Sequence, residues 1–133
     1  MVTEITSHQV NGLNEALAIK VLDEPGQGNA CHAYQIETVE KANETEPTKA
    51  ARLANATCRI RFQNGPIDEV GVNGISNEAL LAVVEHRLQG FQAGEYACRE
   101  NALALTKLQE AVMWLHKRTR DRVARGVEGT HVV

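Results

Sequence analysis

Aromatic side chains are scarce in this chain: Phe62, Phe91, Tyr34, Tyr96 and Trp114 are the whole set in 133 residues. Any core must therefore rest on Leu, Val, Ile and Ala. Cysteine is equally thin. Cys31, Cys58 and Cys98 are odd in number and far apart, which excludes a disulfide framework and a CxxC metal pair. The five histidines (His8, His32, His86, His116 and His131) show no metal-ligand spacing with a cysteine or a carboxylate cluster, so no metal site is expected. No apolar run approaches the ~18 residues of a membrane span. The opening Met1-Val2-Thr3-Glu4 has neither the basic segment nor the apolar segment of a signal peptide, which predicts a cytosolic protein with free thiols. GxSxG, HExxH, the phosphate-binding P-loop and GxGxxG after a strand are all missing, so no enzymatic motif stands out.

What remains is ordinary in bulk and uneven in detail. The length suits a single domain, and 43% apolar with 23% charged residues is average for a globular protein. The net charge of −3 argues against a general nucleic-acid coat. Yet Lys117, Arg118, Arg120, Arg122 and Arg125 crowd one segment against the single acid Asp121. Such a cluster in an acidic chain points to a focused anion site. Cations in the last turn of a helix also serve its negative end.

The pattern predicts an α+β chain: a small antiparallel β-sheet in the N-terminal half, then a C-terminal αα-hairpin with one long helix. Within a single domain 1–133, residues 1–74 form the β-rich part and 75–133 the hairpin and tail. Residues 1–14 read as a loose arm. Strands over 16–23 and 31–38 flank the turn Asp23-Glu24-Pro25-Gly26-Gln27-Gly28-Asn29. Residues 39–55 read as a surface loop with a short helix after Pro47. Thr57–Phe62 alternates as a strand, and Asn64-Gly65 predicts a hairpin to a short strand Ile67–Val70. Ser76 is a natural N-cap for a helix ending near Gln89, with Leu80, Val84 and Leu88 on one face. Gly90 and Gly94 then punctuate a connection that carries Phe91. The long helix runs from about Glu95 to Arg125 and stops at Gly126. Leu105, Leu108, Val112 and Leu115 recur at helical spacing, and Leu103, Ala104 and Ala111 widen the stripe beyond what a short partner helix covers. Self-association is the simplest supply of a second partner.

The run Leu88-Gln89-Gly90-Phe91-Gln92, then Cys98-Arg99-Glu100-Asn101-Ala102-Leu103-Ala104-Leu105-Thr106-Lys107-Leu108, resembles the helical hairpin of small phage proteins. The match continues from Met113-Trp114-Leu115-His116-Lys117-Arg118 to Arg125-Gly126-Val127-Glu128-Gly129-Thr130-His131. That hairpin is shared by the Thoeris anti-defence sponges and the anti-CBASS sponges. Phe62-Gln63-Asn64-Gly65-Pro66-Ile67 and Gly71-Val72-Asn73-Gly74 resemble the Thoeris group in particular. The resemblance implies sequestration without catalysis, in the cytoplasm of an infected bacterium, of the cyclic nucleotides that signal infection. The ligands it implies are a cyclic ADP-ribose isomer and, at a second site, cyclic trinucleotides. It implies no cofactor, no membrane and no stable nucleic-acid partner, and a homo-oligomer of dimers or a hexamer.

By motif position, the resemblance carries the messenger site onto Phe91, Asn101, Arg118 and Arg122. A weaker second site falls on Arg99 and Thr106. The chemistry is apt: a guanidinium brings charge and a stacking plane together, and Arg118 and Arg122, four apart, share a helical face. Asn101 and Arg118 stand seventeen residues apart, roughly 25 Å along a continuous helix. One small ligand then touches both only if the pocket lies between subunits. The competing expectation is a phage regulatory or nucleic-acid-binding protein with Lys117–Arg125 on phosphates. A messenger-cleaving enzyme ranks third.

Overall fold

A computed structural model of the chain describes residues 3–133. It divides into two compact units, the first running to Asn64 and the second from Gly65 to Val133.

The first unit is built on four strands, β1 (Thr3–Ile5), β2 (Leu17–Val21), β3 (Ala33–Thr38) and β4 (Cys58–Arg61), adjacent in that order and antiparallel throughout. The register explains the pairing. Ile5, Ile19, Ile36 and Cys58 fall in one row, and Val21, Tyr34 and Ile60 in another on the same face. The opposite face carries Glu4, Lys20, Gln35 and Arg59 in a row. Alternation in sequence thus becomes one apolar and one polar face. Phe62 packs edge-on against Tyr34, with ring centroids 5.7 Å apart. The expected β2–β3 hairpin is present. Its turn is closed by the Asp23 carboxylate, which accepts from the amides of His32 (2.9 Å) and Ala33 (3.1 Å).

Several expectations need correction. Thr3–Ile5 is a strand rather than part of a loose arm, held by main-chain pairing to β2; Met1 and Val2 lie outside the described residues. A one-turn helix α1 (Gly12–Glu15), capped by Asn11, follows it. Residues 39–55 contain a ten-residue helix, α2 (Glu46–Asn55), that begins before Pro47 because Thr45 supplies the cap. Proline in the first turn costs no hydrogen bond, since amides there have no helical partner.

Asn64-Gly65 does not open a hairpin. Ile67–Val70 is a helical turn, α3, and Pro66 precedes it as N-cap. Proline fixes φ and withholds an amide, which suits a helix start better than a strand partner.

The second unit continues with α4 (Asn77–Gln92) and α5 (Arg99–Ala124). Ser76 caps α4, accepting from the Ala79 amide at 3.1 Å. Helix α4 runs past Gly90, so Phe91 lies within its last turn and not on a connection. Only Ala93–Cys98 separates the helices; the Cys98 amide donates to Gln92 Oε1 (3.0 Å), and Cys98 Sγ caps α5 at the Asn101 amide (3.4 Å). At the far end Gly126, with φ +73°, closes α5. The Gly126 amide reaches Val123 O, and the Val127 amide reaches Arg122 O, both at 3.0 Å. These are the two bonds of a Schellman motif.

Leu81, Glu85, Leu88 and Gln92 of α4 are half-buried, as are Asn101, Leu105, Leu108, Val112, Leu115 and Thr119 of α5. Alternate steps of three and four define the seam of a left-handed helical pair. The expected stripe on α5 is therefore the seam. On α4 the seam passes through Leu81 and Glu85, leaving Val84 exposed beside Val83.

A single chain covers little of its apolar surface. Ala33 is the one buried hydrophobic residue among those described, while Leu103, Met113, Trp114 and Val123 of α5 stay exposed. The accessible area is 9742 Å² for 14.6 kDa. Even two separate compact globules of half that mass would expose only about 8,300 Å².

The first unit draws on carboxylates held in their charged form. Arg52 grips Glu44 through two bonds (2.7 and 3.1 Å) and also donates to Thr38 O (2.9 Å). Hydrogen bonds from Arg52 lower the Glu44 pKa, those from Lys20 lower that of Glu37, and the His32 amide lowers that of Asp23. A carboxylate depressed in the folded state adds stability above its unfolded pKa, about 4, and loses it as pH falls through the folded value. The first unit should therefore hold constant stability from pH 7 to about 5 and weaken below about 4. Melting temperature against pH is the check, and Glu44→Gln should lower stability at pH 7 while flattening the acid limb.

Candidate functional site

The residues singled out in the sequence fall at opposite ends of the hairpin. Phe91 and Asn101 stand beside the turn, one in the last turn of α4 and the other in the first turn of α5. Arg118 and Arg122 stand near the C-terminal end of α5, which is one unbroken helix of 26 residues, about 39 Å long. The structure brings Phe91 and Asn101 to one end and Arg118 and Arg122 to the other, and keeps the two pairs apart.

At the turn end, Phe91 is partly exposed and packs edge-on with Tyr96 at 6.4 Å between centroids. The Arg87 guanidinium lies 5.5 Å from the Phe91 ring centre. Arg87 is one turn before Phe91, the spacing at which a cation reaches a ring on a helix. Sequence reasoning missed both Arg87 and Tyr96. The four-residue Arg-to-Phe interval was the available signal. Asn101 is half-buried on the seam. Arg99 and Thr106 are both exposed on α5, seven residues and so about two turns apart.

At the other end a groove of about 380 Å³ is lined by Trp114, Lys117, Arg118, Asp121, Arg122, Arg125 and Val133. The two arginines in it differ in state. Arg118 has no hydrogen bond or ion pair among the described residues, leaving its donor fork available. Arg122 is 8% exposed, the one buried charged residue among those described. Its Nε donates to Glu128 Oε2 (3.1 Å), one terminal nitrogen to Val132 O, and the other to Val127 O and Thr130 O (both 3.0 Å). All the acceptors belong to the segment after Gly126. Lys117 is paired with Asp121 at 2.7 Å, and Arg125 donates to Val133 O at 2.7 Å.

The same segment reaches α3. Gly129 O accepts from the Asp68 amide (3.0 Å), and His131 Nδ1 donates to Glu69 Oε1 (2.9 Å). Gly129 has φ +81°, and a Cβ there would come within 2.9 Å of Asp68 Oδ1, so only glycine fits without strain. Among the described residues no group of three or more His, Cys, Asp and Glu is arranged to hold a metal, and no helix is long and apolar enough to cross a membrane.

The sequence model of one family, Acb2/Tad1, hairpin domain, matches residues 54–120. That is half of the chain and takes in both α4 and most of α5. The chain belongs to the Acb2/Tad1 hairpin-domain family. It is also similar to Thoeris anti-defense 1 of Bacillus phage SBSphiJ7, with 58% identity over 79 residues. The match covers 59% of this chain and 56% of that relative, little more than half of its length. The helical hairpin is thus the family feature, and both clusters of expected site residues belong to it or to its immediate extension.

The geometry separates the two arginines experimentally. Arg122→Ala should release residues 127–133, read as faster amide exchange and easier proteolysis there. Arg118→Ala should leave the segment protected.

Proposed function

We propose that the protein is a phage anti-defence protein that binds and sequesters a cyclic nucleotide immune messenger inside the infected cell, holding it intact. Membership of the Acb2/Tad1 hairpin family, with its similarity to a phage protein named Thoeris anti-defense 1, carries the proposal. A cyclic ADP-ribose isomer is the first ligand proposed. It presents a pyrophosphate for an unpaired guanidinium such as Arg118 and a purine face for aromatic rings.

Sequestration needs fixed donors and no nucleophile. The pocket lies between subunits in this proposal. Phe91 and Asn101 come from one copy, and Arg118, with Arg122 behind it, from another running antiparallel. The uncovered apolar surface of α5 supplies the area for that association, as dimers or a hexamer of them. Arg99 and Thr106, on the exposed side of the first turns of α5, are the proposed contacts for a cyclic trinucleotide.

Incubation with the product of an activated TIR enzyme tests the proposal. At a hundred times the dissociation constant, the ligand should stabilise the protein by about 2.7 kcal/mol, and heating should return it chemically unchanged. Arg118→Lys should abolish binding while the assembly persists, because an ammonium lacks the bidentate fork. No stabilisation, together with duplex binding that falls steeply with salt, would reassign the basic groove to nucleic acid.

A further inference from the structure

Arg87 stands one helical turn before Phe91 on α4, with its guanidinium 5.5 Å from the ring centre, and makes no hydrogen bond or ion pair among the described residues. Its neighbours explain why. The positions three and four ahead are Gly90 and Phe91, and those three and four behind are Val84 and Val83. The helix therefore offers Arg87 no carboxylate at those spacings, and one aromatic ring. Glu85, the acid closest in sequence, is engaged by Gln89 and Gln109. The ring is held by a second neighbour. Tyr96 meets it at 77° between planes, carried on a turn that the Cys98 amide ties to Gln92. Phe91 nevertheless stays 38% exposed. A plug would be buried; a ring braced by two neighbours and left partly open is a prepared platform.

We infer that Arg87 is a positioning residue for the messenger: lying over Phe91, it fixes the ring on which the purine stacks in the pocket between subunits. This rests on the messenger-binding proposal above and adds to it a residue at the turn end of the hairpin. A phenyl ring at an exposed helix end otherwise samples its rotamers and loses that freedom when a ligand binds, which lowers affinity several-fold. A cation–π contact orders the ring beforehand. That contact needs a cation over the ring and no bidentate fork, so lysine should substitute for arginine here, in contrast to Arg118.

Ring-current shifts in the NMR spectrum report the contact directly. In the ligand-free protein the Arg87 δ-methylene protons should resonate upfield, and Phe91→Leu should return them to ordinary positions. Wild-type binding of the cyclic ADP-ribose isomer is first established by thermal shift. Arg87→Gln should then weaken that binding by about fivefold, and Arg87→Lys by about twofold or less. The glutamine deficit should persist as ionic strength rises from about 0.1 M to about 0.5 M, which shortens the Debye length from about 10 Å to about 4 Å. Unshifted methylene protons, or full affinity in Arg87→Gln, would overturn the inference and leave the messenger-binding proposal standing. Two further results would overturn it as well. A lysine variant as weak as the glutamine one means a direct bidentate contact with the ligand, and a deficit that vanishes with salt means attraction at a distance. Failure of the wild type to bind would remove both.

Discussion

Helix α5 imposes the constraint on which the hairpin's chemistry depends. It is hydrogen-bonded without interruption from Arg99 to Ala124, and each residue advances the chain by about 1.5 Å. Side chains near its two ends are therefore fixed tens of ångströms apart. A nucleotide-sized molecule touches one end or the other of a given chain and never both. Helix α4, with 16 residues, spans only about 24 Å, so the C-terminal turns of α5 run beyond its cover. That overhang is where the basic groove forms.

Within the overhang, burial distinguishes groups that look equivalent in sequence. An Arg removed from water is tolerated only when its donors are satisfied, and Arg122 meets that requirement through one carboxylate and three carbonyls of the tail. It also lies near the negative end of the helix, which favours a cation. The Schellman turn at Gly126 sends the chain back toward that guanidinium, and Gly129 lets it approach α3 closely. Arg122 thus organises the end of the hairpin, and Arg118 faces the groove with its fork unspent.

The first unit follows a different logic. Its sheet has few large side chains to bury, and order comes from register and from ion pairs: Lys20 with Glu37 on the polar face, and Arg52 of α2 with Glu44. Lys49 is likewise paired with Glu40, so the three cations that line the roughly 440 Å³ hollow, Lys20, Lys49 and Arg52, are all engaged, unlike Arg118.

Much was legible in the sequence because it is written locally. Apolar spacing marked the α5 seam, Ser76 and Gly126 marked helix ends, and alternation around a Pro-Gly turn marked the β2–β3 hairpin. Hydrogen bonding from one segment to another was not legible. Thr3–Ile5 carries too few residues to show a pattern and becomes a strand only by pairing with β2. Ile67–Val70 follows a strong turn signal, yet it coils, because Pro66 serves a helix start. Phe91 lies on a helix because neighbouring side chains outweigh the modest cost of Gly90. By itself the sequence determined the α+β order, the two helices and the basic cluster, since these depend on side chains close together along the chain. Which arginine is buried and which is free was decided only by the tertiary structure. That distinction depends on where the tail's carbonyls come to rest after the chain has turned back on itself.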